Sequence, residues 1–231
     1  MFITGSLVNG IAIGAGALLG SLLTRIPEGI KGTVMHAIGL AVMVLGLQMG
    51  LKGENFLLVI LSLASGAIAG ELLEIDERLN KLGYWLEQKV GSKGNGNISQ
   101  GFVTATLIFV IGAMGVIGAL DSGIRGNHEV LFTKSLIDGI TALILTTTLG
   151  IGVLFSAVPV LLYEGLIALF ATQIDRFVSQ DWMDAFILEM TAAGGIMIFA
   201  IGLNLLQITN IRIANLLPAI AFVALFVTIW P

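Results

Sequence analysis

The chain has 231 residues, of which 56% are hydrophobic and only 11% charged, and its mean hydropathy is +0.99. A soluble domain carries about 25% charged residues because its surface must face water, so this composition indicates an integral membrane protein. The absence of cysteine excludes disulfides and thiolate sites, and the net charge of −4 excludes the basic footprint of a nucleic-acid-binding protein.

Apolar runs recur along the sequence, and several reach the roughly 20 residues that an α-helix needs to cross a bilayer. In chain order we predict spans at approximately 2–24, 34–51, 55–73, 102–120, 131–154, 158–172, 183–208 and 213–230. The sixth run is short and follows the fifth through FSAVP, which carries no charge. The sequence therefore predicts an all-α, polytopic transmembrane helix bundle of about eight spans, or seven and a re-entrant segment.

A polar segment, residues 71–100, separates the first three spans from the others. Ile75, Leu79, Leu82, Leu86 and Val90 recur at helical spacing, which predicts an amphipathic helix on the membrane surface. The GSKGNGN stretch that follows is typical of a flexible linker. We therefore divide the chain into an N-terminal three-span block (1–74), an amphipathic helix with its linker (75–100) and a C-terminal block of about five spans (101–231).

Lysine and arginine predict the orientation, because cytoplasmic loops are enriched in them. One side of the predicted topology carries Arg25, Lys31, Arg78, Lys81, Lys89, Lys93 and Arg212, and the other carries Lys52, Arg125, Lys134 and Arg176. This distribution places the 75–100 segment in the cytoplasm and the N-terminus outside.

Two stretches of the first block are similar to stretches of the last. SLVNGIA (6–12) resembles SLIDGIT (135–141), which aligns Asn9 with Asp138. GLAVMVLGLQ (39–48) resembles GIMIFAIGLN (195–204), which aligns Gln48 with Asn204. If the sixth span crosses fully, the matches cannot keep one consistent orientation, so duplication and chance similarity between glycine-rich helices both stay open. Transporters built from repeats bind their cargo between them, near the middle of the membrane.

Small residues recur at four-residue spacing in the predicted spans, namely Gly10 and Gly14, Gly16 and Gly20, Gly46 and Gly50, and Gly66 and Gly70. This spacing lets neighbouring helix backbones approach closely inside a membrane, so we expect tight helix packing rather than ligand contact. A homo-oligomer is compatible with the same surfaces.

Polar residues form one broad face of the fifth span: Lys134, Ser135, Asp138, Thr141, Thr146 and Thr148. One interpretation is a local ion pair between Lys134 and Asp138, four residues apart, near the membrane surface. The other is an aqueous path with Asp138 as a cation ligand or proton carrier. We favour the second because the threonines continue inward beyond Lys134.

Three further acids lie in or next to the spans. Glu164 and Glu189 are inside the sixth and seventh, where an ionisable group is expensive and is kept with a partner or a task. The structural alternative for both is a hydrogen bond from a neighbouring helix, with Asn9, Gln48 or Asn204 as donors. Glu71 ends the third span and is expected to be solvated. The sequence offers no matching buried lysine or arginine, which favours cation handling.

Signs of catalysis are few. Two histidines, His36 and His128, are too few and too isolated for a metal cluster. Asp121 and Arg125 either pair at the membrane face or belong to an ordinary capped loop. The glycine-rich opening lacks the strand and the GK[ST] motif of a nucleotide-binding loop. We expect no enzyme activity, cofactor or metal.

Several stretches also resemble a known family: GFVTATLIFVIGAMGVIGALDSGIRGN, KSLIDGITALILTTTLGIGVLFSAVPVLLYEG, TAAGGIMIFAIGLNLLQITNIRIANLLPA and the opening VNGIAIGAGALLG. Together they are similar, over essentially the whole chain, to the bacterial YqgA/YdfK family of uncharacterised membrane proteins, a domain of unknown function. The resemblance implies a protein of the bacterial inner membrane. General descriptions of that family suggest a transporter, or a sodium channel or pump, without an established cargo. Position 164 is Glu where the resemblance leads us to expect Gln, which moves the central role toward Asp138.

These observations lead us to expect a small transporter or channel for a cation, Na⁺ or H⁺, or for a small solute coupled to one. Asp138 is the expected central carboxylate of a polar site between the two blocks. Its further candidates are Glu189, Glu164, Asn9, Gln48, Asn204, Ser135 and Thr141, and Asp121, Arg125 and Lys134 are candidates for a gate or a loop ion pair. The alternative is a non-transporting scaffold or regulatory protein whose polar residues are interhelical glue. The expected partners are the lipid bilayer and the cation, and no nucleic acid.

Overall fold

The computed structural model describes residues 2–23, 28–90 and 98–230. Within these ranges the chain contains no strand, and the predicted all-α fold is confirmed. The helices are α1 (Thr4–Leu22), α2 (Glu28–Gly50), α3 (Phe56–Leu72), α4 (Ile75–Val90), α5 (Ile98–Val110), α6 (Ala113–Ile124), α7 (Glu129–Leu149), α8 (Ala157–Phe177), α9 (Gln180–Leu205) and α10 (Ala219–Ile229). Short 3₁₀ helices cover Ile151–Ser156 and Ile213–Leu216.

The described helices agree with a membrane bundle. Five segments are long and apolar enough to cross a membrane: Thr4–Leu22, Gly32–Gly50, Glu129–Leu149, Ile151–Phe177 and Gln180–Leu205. The number rises to seven if two bent pairs, α3 with α4 and α5 with α6, each form one span. Ile213–Ile229 is apolar but shorter. The polytopic helical fold is therefore confirmed, whereas the number of about eight spans is not.

Two predicted spans differ in their course. The run 102–120 is two helices, α5 and α6, which meet at an angle of 62°. Gly112 lies at this break with φ of +154°, a conformation that side-chain-bearing residues rarely adopt. The sixth element is longer than the predicted 158–172, because α8 continues through the polar residues Gln173, Asp175 and Arg176. The apolar stretch of α8 therefore ends several residues before the helix itself ends.

The predicted amphipathic segment is helical, since α4 covers Ile75–Val90 and meets α3 at 56°. The linker at 91–97, Arg25 and Lys93 lie outside the described residues. The position of α4 on a membrane surface stays a prediction.

The chain forms two compact units, each assembled from separated stretches of sequence. The first consists of Met1–Val34, Asn80–Val110 and Met114–Phe177, and the second of Met35–Leu79, Ile111–Ala113 and Val178–Pro231. In the first unit α1 packs along α7 and against α8, and in the second α3 packs on α10 and α9. The division of the sequence into blocks at 75–100 stays a prediction.

Glycines set the close helix contacts in each unit. A methyl group at Gly16 would fall 2.0 Å from the carbonyl oxygen of Gly139, and one at Gly70 would fall 1.9 Å from that of Asn215. A methyl group at Gly20, Gly46 or Gly66 would fall 2.3–2.4 Å from neighbouring backbone, whereas Gly10, Gly14 and Gly50 have ordinary contact distances. The first five positions therefore hold helices at distances that alanine does not allow.

The suspected repeat is not confirmed, although its matched stretches pack against each other. Contacts between α1 and α7 advance in the same direction along both helices, from Gly5 on Leu131 to Gly16 on Gly139 and Gly20 on Leu143. Contacts between α2 and α9 advance in opposite directions, from Gly39 on Gly202 to Gly46 on Phe199 and Gly50 on Ile196. The α1–α7 pair is thus parallel, and the α2–α9 pair is antiparallel. Because α8, which precedes α9, is long enough to cross a membrane, the two matches do not share one consistent orientation.

Candidate functional site

A cluster of buried polar side chains lies where α1, α7 and α8 meet in the first unit. The α1–α7 contact is close because Gly16 and Gly139 carry no side chains at the crossing. On its other side, α1 reaches α8 through Gly10, which lies near Ala157 and Leu161. This packing brings Asn9 of α1 between one carboxylate of α7 and one of α8.

Asn9 joins the two carboxylates. Its side chain is completely buried, and its amide nitrogen donates to Asp138 Oδ2 at 3.0 Å and to Glu164 Oε1 at 2.8 Å. An amide has two such hydrogens, so both are used. The orientation of Asn9 is therefore fixed, with its oxygen directed away from these two contacts.

Lys134 is the cation of the cluster. Its ammonium group donates to Asp138 Oδ2 and, at 2.9 Å, to the carbonyl oxygen of Phe109, and it lies 3.7 Å from Glu164 Oε1. Only 6% of Lys134 is exposed. The expectation that the acids have no buried basic partner is therefore wrong. Lys134 forms the ion pair that we considered as the alternative, and it is not a loop charge.

The carbonyl of Phe109 is free for Lys134 because of the break between α5 and α6. A helix carbonyl normally accepts from the amide four residues later, but α5 ends at Val110. Sequence analysis missed this acceptor because any residue has a carbonyl. The signal in the sequence is the break itself, at Gly112 in VIGAMG.

The cluster contains two carboxylates and one ammonium group. When all three are ionised, one negative charge is left without a partner. In the part of the chain that the structure describes, Glu164 Oε2 and Asn9 Oδ1 are buried and have no hydrogen-bond partner. Buried charges and polar atoms are normally paired, because leaving them unpaired costs several kcal/mol. This arrangement can accept one positive charge.

The hydroxyl groups of the α7 stripe are occupied within their own helix. Ser135 donates to the carbonyl of Leu131 at 2.6 Å, and Thr146 donates to that of Ala142 at 2.7 Å. Thr148 does the same with Leu145, and Thr141 is half-buried. The predicted stripe is present on α7, but its bonded hydroxyls keep only their oxygen lone pairs for another group.

Glu189 has a different role in the second unit. It is 4% exposed, and its Oε1 accepts from the backbone amides of Glu54 at 3.0 Å and Asn55 at 2.8 Å, at the start of α3. These amides belong to the N-cap residue of α3, Asn55, and to the residue before it. Glu189 therefore ties α9 to the α2–α3 turn, and its partners are backbone amides rather than the side chains that we expected.

The other two candidate residues of the second unit, Gln48 and Asn204, do not join a polar cluster with Glu189 in the contacts described. Gln48 is exposed on α2. Asn204 organises the turn after α9: it donates to the carbonyl of Ile211 at 2.8 Å and accepts from Thr209 and from the Ile211 amide. Asn204 thus stabilises its own turn.

Two ion pairs lie nearer the ends of helices. Arg125 lies 3.2 Å from Asp121, and the arginine side chain is 75% exposed. Glu71 is not merely solvated, because it pairs with Arg212 and accepts from Asn215 at 2.6 Å. Sequence analysis left Asn215 out of the site, although an asparagine just before an apolar helix is a visible signal.

Two proteins that are similar to this chain are named as uncharacterised. The family profile described as "Protein of unknown function (DUF554)" matches residues 4–228. The chain is 31% identical over 221 residues to "Uncharacterized membrane protein YdfK" of Bacillus subtilis (strain 168), which covers 94% of this chain and 92% of the relative. It is 28% identical over 223 residues to "Uncharacterized protein YqgA" of Escherichia coli (strain K12), which covers 94% and 93%.

No solved structure gives a significant match to the chain. The profile covers nearly the whole sequence, one relative is named a membrane protein, and the described helices include several of membrane-spanning length. The resemblance to the YqgA/YdfK proteins is therefore confirmed, and the chain belongs to the DUF554 family of proteins of unknown function.

Proposed function

We propose that this membrane protein is a transporter or channel for a cation, Na⁺ or H⁺, or for a small solute coupled to one. The cation passes the cluster of Asn9, Lys134, Asp138 and Glu164. The observation that supports this most is Glu164, a carboxylate with no exposed surface and one oxygen without a described partner. Ionisable groups at membrane depth mark ion pathways and proton relays more often than structural contacts.

The charges in the cluster suggest a division of roles. Lys134 and Asp138 bind each other and form a balanced pair. Glu164 is 3.7 Å from the same ammonium, beyond hydrogen-bond distance, and is left with the unbalanced charge. We therefore assign the exchange of the cation to Glu164 and the positioning of the site to Asp138, Lys134 and Asn9.

The proposal includes the bacterial inner membrane and the orientation with the 75–100 segment in the cytoplasm. The burial of Lys134 in α7 removes one of the four charges that opposed this orientation. The remaining opposing residues are Lys52, Arg125 and Arg176. Without Lys134, seven lysines and arginines on one side face three on the other, which favours a cytoplasmic 75–100 segment more strongly than the seven against four of the sequence count.

Flux measurements test the proposal. The purified protein is reconstituted into liposomes, a Na⁺ or pH gradient is imposed, and internal Na⁺ and pH are followed with indicator dyes. Glu164→Gln keeps the shape of the side chain and removes its charge, and we expect it to reduce flux at least tenfold. Glu129→Gln is the matched control, since Glu129 is exposed on α7. No flux under either gradient, or equal flux in both variants, would contradict the proposal.

The alternative function, a scaffold or regulatory membrane protein, is supported by the local pairing of the other polar groups. Glu189 binds backbone amides of the α2–α3 turn, and Asn204 binds backbone groups of the turn that follows its own helix. If all buried polar groups serve packing in this way, the unchanged chain already gives no more flux than empty liposomes, and Glu164→Gln changes only the unfolding temperature in detergent.

A further inference from the structure

Of the buried side-chain oxygens that have no hydrogen-bond partner among the described residues, three lie on α1 and α8: Ser6 Oγ, Asn9 Oδ1 and Glu164 Oε2. The others are Ser62 Oγ, Thr106 Oγ1 and Glu189 Oε2. The side chains of Ser6, Asn9 and Glu164 have 0% exposure. Their two helices, α1 and α8, both belong to the first unit. A buried polar atom without a partner is rare in native proteins and requires an explanation, such as a bound ion.

Among the described residues, three buried hydroxyls have no hydrogen-bond partner, those of Ser6, Ser62 and Thr106, and Ser6 is the one on α1, the helix that carries Asn9. Ser135, Thr146 and Ser156 each donate to a carbonyl of their own helical turn, which is the usual solution for a hydroxyl in a helix. The carbonyl four residues before Ser6 belongs to Phe2, and it already accepts from Ser122 at 2.7 Å. The Ser6 oxygen thus has lone pairs available at a fully buried position.

The position of Ser6 on α1 places it beside the acid. Residues Gly5, Gly16 and Gly20 face α7, whereas Ile3, Gly10 and Gly14 face the chain segment of α8 and the 3₁₀ turn before it. At 3.6 residues per turn, Ser6 lies between these two faces, one turn before Asn9. Because Ile3 contacts Gly165 and Gly10 contacts Leu161, the level of Ser6 on α1 corresponds to the level of Glu164 on α8.

We propose that Ser6, Asn9 and Glu164 bind a single alkali-metal cation through these three oxygens. This binding site rests on the proposed transport function, and it identifies the transported cation as an alkali-metal ion. Carboxylate, amide and hydroxyl oxygens are hard ligands, which suit hard cations. One unbalanced negative charge matches one monovalent ion. A proton on Glu164 Oε2 could donate to one other oxygen, whereas a metal cation can contact all three at once.

The proposed ion site is separate from the contacts of the Lys134 ammonium group. The two amide hydrogens of Asn9 point to Asp138 and to Glu164 Oε1, the oxygen nearest Lys134. The oxygens that we assign to the ion are the other polar atoms of the Asn9 amide and the Glu164 carboxylate, Asn9 Oδ1 and Glu164 Oε2. Lys134 therefore compensates Asp138, while the bound ion compensates Glu164.

Thermal unfolding of the full chain in detergent tests this site. The unfolding temperature is measured against increasing LiCl, NaCl and KCl, with choline chloride keeping the ionic strength constant. A ligand that binds only the folded protein raises this temperature in a saturable manner. We expect saturable stabilisation by at least one of these salts, an apparent affinity at least tenfold weaker in Ser6→Ala, and no saturation in Glu164→Gln.

Ser21→Ala is the matched control, because Ser21 is on the same helix and its hydroxyl already donates to the carbonyl of Leu18 at 2.6 Å. It should bind the cation as the unchanged chain does. Size-exclusion profiles and circular dichroism establish that each variant folds. If Glu164→Gln does not fold, the cation affinity of Ser6→Ala tests the site, because this substitution removes one oxygen and no charge.

Three results would overturn the site: no saturable effect of any alkali-metal salt, equal affinity in Ser6→Ala and the unchanged chain, or stabilisation that follows pH alone. The last result would identify a proton as the ligand. These outcomes are distinct from failure of the proposed function. Cation binding without liposome flux would refute transport and keep the site, whereas flux without alkali-metal binding would refute the site and keep transport.

Discussion

Each unit of the protein holds an acid, a base and an asparagine together, and the two groups differ in burial and in charge balance. In the first unit, Lys134 and Asn9 serve two carboxylates that are almost fully buried. In the second, Arg212 and Asn215 serve one carboxylate, Glu71, whose side chain is 58% exposed.

The group in the second unit has the properties of a structural clamp. Asn215 accepts from the backbone amide of Asp76 at 2.8 Å while it donates to Glu71, so it links the turn before α10 to both α3 and α4. Its charges balance, and both charged side chains are more than half exposed. Similar side chains thus stabilise a turn when their charges balance and they are exposed, and form a candidate ion site when they are buried with one charge in excess.

The largest expected difference between the groups comes from removing their cations. Lys134→Met leaves two carboxylates buried without a counter-ion, and breaking a buried pair in this way costs about 3–5 kcal/mol. We expect a loss of this size in the free energy of unfolding, measured by denaturant titration in mixed micelles. A loss below about 1 kcal/mol, the range of exposed ion pairs, would show that the cluster is effectively solvated.

A smaller effect is expected from the asparagine that joins the carboxylates. Asn9→Leu conserves volume approximately but removes two hydrogen bonds to charged groups, each of which contributes about 1.5–3 kcal/mol. We expect a combined loss of about 2–4 kcal/mol, because the carboxylates partly relax toward Lys134. The same titration measures it. An unchanged free energy of unfolding would mean that Asn9 does not hold the two acids.

The smallest effect is expected at the exposed clamp. Arg212→Met removes an ion pair whose arginine side chain is 66% exposed, and such pairs contribute about 0–1 kcal/mol. Most of that contribution should disappear in 1 M salt, where the Debye length falls to about 3 Å. A loss as large as that of Lys134→Met, or one that salt does not reduce, would remove the distinction between the two groups.

The sequence predicted the helical membrane fold because the apolar runs alone determine it. It predicted the Lys134–Asp138 contact only as an alternative, since four-residue spacing on a helix permits a pair without requiring it. It could not predict that Asn9 binds both acids, because this depends on how closely α1 approaches α7 and α8. Such approach depends on pairs of glycines that are far apart in sequence, such as Gly16 and Gly139.

The single polar site expected from Asp138, Glu189, Gln48 and Asn204 shows a second limit. Composition reveals that a polar group lies in an apolar run but not which backbone amides it binds. Glu189 caps the start of α3, and Asn204 binds its own turn. Helix ends and turns present unpaired amides and carbonyls, and these compete with distant side chains for every buried polar group.

The cluster of Asn9, Lys134, Asp138 and Glu164 is an ion site only if its carboxylates carry more negative charge than Lys134 balances, and the stability of Glu164→Gln measures this directly. In alkaline buffer free of alkali-metal ions, where carboxyl groups are ionised, we predict that Glu164→Gln unfolds at a higher temperature than the unchanged chain, while Glu129→Gln does not. A Glu164→Gln variant that is equally stable or less stable under these conditions would contradict the claim.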